Sequence, residues 1–405
     1  MLRSEVVIVG AGAAGLACGR VLADAGAAVT IVEARERIGG RMSTFPSAEE
    51  PLELGAQVVH ATADPSLMDA LAAEGLITRP LAHGVPVTLL DGDRRLGPGD
   101  LRERSILPPW VVERHLTGRA GGTVADELLA LTGQARRVAA AWLEQSMGDS
   151  CSALDAREAV RFRDARTIGP ERTIEGGFGE LAARLARGLE VRLGSPVRRI
   201  ERGSWTRVEL ATGERIAAET VVVTVPPSVL GQGGLYLGEV LPDDKREAAR
   251  VLRSCDAMSI VVRTEHTADR AAWTLVVEPL AGLWQLRPGQ RWVLGVAKGS
   301  AAAGLRELAG DRQRLQRMIG LVAPQLGRVE EVVSCDWGRD PWSRGGFSTA
   351  IVGGEDAARA WATPIGGRVF FAGEATADRS GRGLVQGALT SGRRAAEEVL
   401  ARHDR

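Results

Sequence analysis

Residues 6–41 read VVIVGAGAAGLACGRVLADAGAAVTIVEARERIGGR, and this stretch decides the fold. The apolar run Val6 to Val9 predicts a buried strand that feeds directly into Gly10-Ala11-Gly12-Ala13-Ala14-Gly15. A helix of small residues follows, closed by Gly26, and a second apolar run, Val29 to Val32, ends on Glu33. Strand, glycine turn, helix, strand and acid, in that order, make a dinucleotide-binding unit. Gly10 permits the tight turn, Gly12 lets backbone N–H groups reach a pyrophosphate, and Gly15 lets helix and strand pack closely. The Glu33 carboxylate can accept hydrogen bonds from ribose hydroxyls. A secretory leader does not fit, because glycines interrupt the apolar run, Glu5 precedes it, and nothing breaks the pattern after Ala17.

The bulk properties set the frame for this unit. At 405 residues the chain is long enough for two domains. With 44% hydrophobic residues, 25% charged residues and zero formal net charge, nothing favours a nucleic-acid or membrane-surface partner. No apolar run reaches membrane-spanning length. Cys18, Cys151, Cys255 and Cys335 are scattered, which suits reduced thiols and a cytoplasmic location better than disulfides, and neither they nor the five histidines have metal-ligand spacing. Lysine is scarce, with only Lys245 and Lys298.

Further along, Gly39-Gly40-Arg41 offers a second close backbone approach to the same ligand. Residues 52–60 read as strand, small-residue turn and strand, and Asp64-Pro65 caps a helix from Ser66 to Glu74. Val85 to Leu90 followed by Asp91-Gly92-Asp93 predicts a hairpin, and Thr123 to Met147 carries helical periodicity. Several strands between Met258 and Ala297, then two amphipathic helical segments, suit an α+β unit. The tail pairs a buried strand, Arg368 to Phe371, with a glycine-rich turn and a final helix from Leu389 to Arg402. The expected class is α/β: a doubly wound, Rossmann-like cofactor domain with an inserted α+β substrate domain. Residues 1–78, 167–235 and 336–405 are assigned to the first, and 79–166 and 236–335 to the second.

Six ordered blocks carry a family resemblance: GAGAAGL…E…RIGGR, LELGAQVVHATADP, GGFGELAARLARGLEVRLGSPVRRI, VVVTVPPSVL, DWGRDPWSRGGFS and FFAGEATADRSGRGLVQGALTSGRRAAEEVL. Together they span nearly the whole chain, which resembles the flavin-containing amine oxidoreductases, the monoamine and polyamine oxidases. The resemblance implies a glutathione-reductase-type fold that binds FAD. It places Gly10, Gly12, Ala13, Ala14, Gly15, Glu33, Ala34, Arg35, Gly39, Gly40 and Arg41 on the adenosine and pyrophosphate. It sets Gly55, Ala56 and Gln57 along the isoalloxazine and Val197 at the adenine; Trp337 and Trp342 read as packing residues, with Trp342 expected against the flavin. Gly373 and Glu374 take the ribityl or pyrophosphate region. Gly383, Leu384, Val385 and Ala388 belong to the last helix, whose N-terminal dipole stabilises negative charge on the flavin pyrimidine.

Four departures from the family bear on chemistry. Gly345-Gly346-Phe347 stands where some relatives attach the flavin to a cysteine, so FAD is expected to be bound non-covalently. Met258 aligns with a lysine that relatives place, through water, at flavin N5, and a compensating lysine is not expected. Gly381 takes the place of an aromatic cage wall, leaving Phe347 as the second wall and a weaker site for a cation. A membrane tail of the kind the family carries is not expected. His60 matches a polar position at the mouth of the site, for substrate orientation or proton handling. The substrate contacts expected are therefore Gln57, His60, Met258, Phe347 and Gly381, with His60 and Met258 nearest the chemistry.

The implied reaction is oxidation of a C–N bond of an amine by hydride transfer to flavin N5. An imine is the product, and O2 is the acceptor that yields H2O2. Two alternatives stay open: C–C desaturation in secondary metabolism, and a flavoprotein that acts chiefly through partners. Oligomeric state is not legible.

Overall fold

The computed structural model describes residues 2–47, 51–60, 65–81, 87–166, 171–231, 235–237, 241–278, 282–350, 356–378 and 381–403. Strand β1 (Leu2–Val9) sits at the centre of the first sheet, parallel to β2 (Val29–Val32) on one side and to Arg215–Val223 on the other. Glu190–Arg192 extends the sheet in parallel beyond β2, and Val369–Phe371 pairs in parallel with Arg215–Val223. Thr206–Leu210 and Val197–Glu201 add an antiparallel meander. Val6, Val7 and Ile8 are fully buried, as a strand covered on both faces requires.

Helix α1 (Ala13–Asp24) packs on this sheet through small residues. A Cβ on Gly19 would fall 2.8 Å from Ile31 Cδ1, and one on Gly15 only 1.9 Å from the Gly10 carbonyl oxygen. The C-terminal helix, Val385–His403, lies against α1 at similarly close range: a Cβ on Gly392 would sit 2.2 Å from Ala14 O. Both ends of the chain therefore build one layer. It shares a core that includes Leu16, Leu22, Ile31, Phe178, Leu389 and Val399. The opposite face of the sheet buries Val7, Val9, Val221, Trp361 and Phe371, so the sheet is wound on both sides.

A second, mostly antiparallel sheet runs in the order Val329–Asp336, Ala257–Thr264, Trp292–Lys298, Gly282–Leu286, Ala272–Glu278, Val87–Asp91, Arg94–Leu96. One face carries the helices Ala301–Ala309 and Arg312–Val322 over Ile260, Val262, Val293 and Ala297. The other face packs on Leu52 and Leu54 and onto the helix Gly133–Met147. The helical stretch expected over 123–147 is two helices, Val124–Glu127 and Gly133–Met147, because Gly133 takes φ +51° between them. The expected hairpin forms from Val87–Asp91 and Arg94–Leu96. Val85 and Asp64 lie outside the described residues. Among the described residues no helix is long and apolar enough to cross a membrane.

Candidate active site

One cavity, with about 1790 Å³ of empty space partly open to solvent, runs from the glycine turn after β1 to the inner face of the second sheet. At its first end the Glu33 carboxylate accepts backbone N–H from Ala11 (2.8 Å) and Arg35 (2.9 Å), which fixes its orientation on the cavity wall. Gly39 donates to Ala11 O at 2.8 Å, and Gly39 and Gly40 both have positive φ, so this turn lies flat against Gly12. A Cβ on Gly12 would meet nothing within 4 Å. That space is open and lies on the cavity wall.

Midway along, Glu374 ties three loops together. Its carboxylate accepts from Arg41 Nη1 (2.8 Å), Ser348 N (3.1 Å) and Oγ (2.9 Å), and Gly383 N (3.1 Å). Arg41 also donates to Gly346 O at 2.9 Å. Gly55 is wedged beneath: a Cβ there would lie 1.8 Å from Arg41 O. Gln57 Nε2 and Gln386 Nε2 are buried without a hydrogen-bond partner, and both residues line the cavity. Two buried amides with no acceptor in the protein indicate an acceptor-rich ligand between them. The residues present fit an extended dinucleotide.

The far end is lined by His60, Ser146, Phe162, Arg166, Lys298 and Phe347. Phe162 and Phe347 stack with centroids 5.9 Å apart and planes 17° apart. The Arg166 guanidinium lies 4.2 Å from the Phe162 ring centroid, and the Lys298 ammonium 5.3 Å from that of Phe347. Arg166 is held from behind by Glu113 (2.9 Å), which also accepts from Trp142 Nε1 (2.6 Å) and Ser146 Oγ (3.0 Å). Burial, then the charges of Arg166 and Lys298, push the His60 imidazole down to about 3. Burial and the Arg166 charge also hold the Lys298 ammonium below the ordinary lysine value. His60 Nδ1 is 3.4 Å from Glu171 Oε1 but makes no well-formed hydrogen bond. Burial and the two neighbouring cations thus disfavour the protonated imidazole.

Of the residues singled out from the sequence, Gly10, Gly12, Ala13, Ala14, Glu33, Ala34, Arg35, Gly39, Gly40 and Arg41 line the first end. Gly55, Ala56, Gln57, His60, Val197, Trp342, Phe347, Gly373, Glu374, Gly383, Leu384, Val385 and Ala388 line the remainder. Gly15 does not, and serves the contact of helix with turn. Two expectations need correction. Met258 points away from the cavity into the core with Ile260 and Ala297. Successive strand residues face opposite sides, and its neighbours Ala257 and Ser259 line the cavity instead. Gly381 lies outside the lining, since a Cβ there would come within 2.8 Å of Gly387 Cα, and Leu384 supplies the nearby wall.

A lysine does line the cavity. Ala257 pairs with Lys298 across the antiparallel ladder, so both side chains share the cavity face. The other lysine, Lys245, is buried elsewhere and donates to the carbonyls of Ala360 (3.1 Å) and Trp361 (2.6 Å). Among the described residues no cysteine lines the cavity. Arg166 and Phe162 escaped notice because the helix Ala156–Arg166, AREAVRFRDAR, reads as a solvated surface helix. Their only signal is the i, i+4 spacing, which puts ring and guanidinium on one face.

Known proteins bear on this geometry. Mouse lysine-specific histone demethylase 1B is 27% identical over 439 residues, covering 98% of this chain and 53% of the relative, so the chain spans about half the length of that protein. Polyamine oxidase 2 of Arabidopsis thaliana is 26% identical, with 98% and 88% covered. Among solved structures, wild-type putrescine oxidase bound to putrescine superposes with TM-score 0.77 at 20% identity, over 99% of each chain. Cyclohexylamine oxidase from Brevibacterium oxydans superposes with TM-score 0.79 at 20% identity, over 99% and 100%. The model of the family described as flavin containing amine oxidoreductase matches residues 13–400, and the chain belongs to that family.

Proposed function

We propose that this protein is an FAD-dependent amine oxidase acting on a C–N bond. The observation that carries the reading is the single cavity, which joins the Glu33 and glycine-turn end to a pocket bounded by His60, Phe162, Arg166, Lys298 and Phe347. The relatives named above as oxidases of polyamines, putrescine and cyclohexylamine support it. When bound, FAD supplies the two-electron acceptor, and dioxygen its reoxidant with hydrogen peroxide as product.

The chain's own residues bind, orient and keep the site dry. Glu33 takes the ribose hydroxyls, and the backbone at Gly12, Gly39 and Gly40 takes the pyrophosphate. The N-terminus of the helix Val385–His403 faces the cavity through Val385 and Gln386, favouring negative charge there. Phe162, Phe347 and Trp337 exclude water around the reacting carbon. Arg166 and Lys298 disfavour the ammonium form of a bound amine, so its proton leaves to solvent and its lone pair becomes available. Neutral His60 orients the substrate by hydrogen bonding. The imine product is hydrolysed by water to a carbonyl compound. Assignment of 1–78, 167–235 and 336–405 to cofactor and of 79–166 and 236–335 to substrate is part of this proposal. So is a cytoplasmic location, which the four unpaired cysteines support.

The test is incubation of FAD-loaded protein in air with a broad panel of primary, secondary and amino-acid amines, measuring peroxide and carbonyl product together. Equal amounts of both from at least one amine are expected. Peroxide without a carbonyl product, or neither from any amine, overturns the reading.

A further inference from the structure

The far end of the cavity has a charge pattern that a simple alkylamine does not explain. Arg166 and Lys298 are the charged side chains lining it. The carboxylates that line the cavity, Glu33 and Glu374, belong to the dinucleotide half and are engaged there. Glu113 and Ser146 Oγ (2.8 Å) satisfy only one edge of Arg166, at Nη2, and Nε donates to Phe162 O at 3.2 Å. Nη1 has no acceptor among the described residues, and neither does Lys298 Nζ. Neither Glu113 nor Glu171 lines the cavity. Two cationic groups thus face one space with donors to spare.

The aromatic rings point the same way. A substrate ammonium is held by the open face of a ring. Phe347 stacks on Phe162 and has Lys298 over its ring, while Phe162 has Arg166 over its own. The protein's own cations occupy the positions that a second substrate cation would need. A diamine or polyamine would bring further positive charge against Arg166 and Lys298 in a low-dielectric pocket, where like charges repel strongly.

We infer that the substrate is an amine bearing an anionic group, most simply a carboxylate. Arg166 and Lys298 hold that group while Phe162 and Phe347 flank the carbon chain. A carboxylate completes the free edge of the guanidinium and meets the ammonium with charge-assisted hydrogen bonds, and it leaves the neutral amine end free to face the reacting position. The inference rests on the amine-oxidation reading and narrows its substrate class.

The test uses FAD-loaded protein and matched sets of four and six carbons: the plain alkylamine, the α- and ω-amino acids, and the diamine. At least one amino acid is expected to exceed its plain alkylamine by about tenfold or more in kcat/KM, chiefly through KM, equivalent to about 1.4 kcal/mol, with the diamine poorest. Lys298→Met is expected to bring that ratio to within about threefold of unity, and Lys298→Arg to restore it. FAD content and thermal midpoint verify that both variants fold. Separately, butanoate and tetramethylammonium are titrated against the visible spectrum of the oxidised protein. Butanoate is expected to perturb it saturably, with affinity weakened about tenfold or more in Lys298→Met, and tetramethylammonium to leave it unchanged. Plain amines or diamines outpacing every amino acid, or a butanoate affinity indifferent to Lys298→Met, overturns the inference while leaving amine oxidation standing. Lys298-dependent butanoate binding without turnover of any amine overturns the amine-oxidation reading and sustains the anion site.

Discussion

Glu374 is the side chain on which the cavity's middle section depends, and its replacement by alanine has a calculable cost. The carboxylate is 5% exposed and joins Arg41, Ser348 and Gly383, residues from three separate segments. Removing it leaves the buried N–H of Ser348 and the part-buried N–H of Gly383 without an acceptor, each costing up to roughly 1–3 kcal/mol. Arg41 keeps Gly346 O as acceptor, and its side chain is 23% exposed, so solvent screens the lost ion pair and it adds at most about 1 kcal/mol. Water entering the vacated space recovers part of this, and about 3–5 kcal/mol of destabilisation is expected for Glu374→Ala. Glu374→Gln keeps one carbonyl acceptor but turns an NH2 group against a donor, for about 1–3 kcal/mol. Urea unfolding of the FAD-saturated proteins, with FAD affinity measured in parallel, reads both effects. A Glu374→Ala protein within about 0.5 kcal/mol of wild type, retaining FAD equally well, would refute the reasoning.

Other positions give sharper contrasts. Gly12→Ala places its Cβ in the open cavity, so thermal stability without FAD is expected to hold while FAD affinity drops about tenfold or more; the reverse outcome contradicts the cavity assignment. Gly55→Ala collides with Arg41 O and is expected to lower stability itself, by about 1–3 kcal/mol, measured by the same unfolding. Lys245 lies buried against Phe371 with its ammonium pushed down to about 7. Between that value and the free-lysine value near 10.5 the unfolded chain binds more protons, so this residue makes wild-type stability rise with pH across the window. Lys245→Met should flatten that slope, and identical slopes for the two proteins would count against it. His60, pushed down to about 3, contributes stability above pH 6.5 that is lost as pH falls towards 3. Its replacement by asparagine should leave the pH profile of turnover unchanged in shape between pH 6 and 8, and an inflection near 6.5 that vanished with the ring would contradict this.

The dinucleotide half was legible because its chemistry is written in backbone. Gly10, Gly12, Gly39 and Gly40 are where they are because a chain must turn sharply or approach a ligand closely, and such demands admit few residues. Glu33 follows at the end of a strand whose length the apolar run defines. At the far end the chemistry rests on side-chain direction, and a slip of one residue on a strand reverses it. Met258 was one position out of phase with Ala257 and Ser259. Lys298 required knowing that Trp292–Lys298 pairs antiparallel with Ala257–Thr264, a register that no local pattern states. Arg166 sits in a helix so rich in charge that burial of one guanidinium could not be read from composition. Gly381 and Leu384 lie in one glycine-rich turn, and only the close contact of Gly381 with Gly387 decides which of them reaches the cavity.

Oxidation of an amine in the same cavity that binds the flavin is what joins this fold to its chemistry. Its most direct measurement is an anaerobic titration of the yellow protein with the amine that gives the most peroxide in air, following visible absorbance and product together. Full bleaching with one carbonyl product formed per flavin is expected, with return of the colour on admitting oxygen. Absorbance that stays unchanged through excess amine, or bleaching with no carbonyl product, would contradict it.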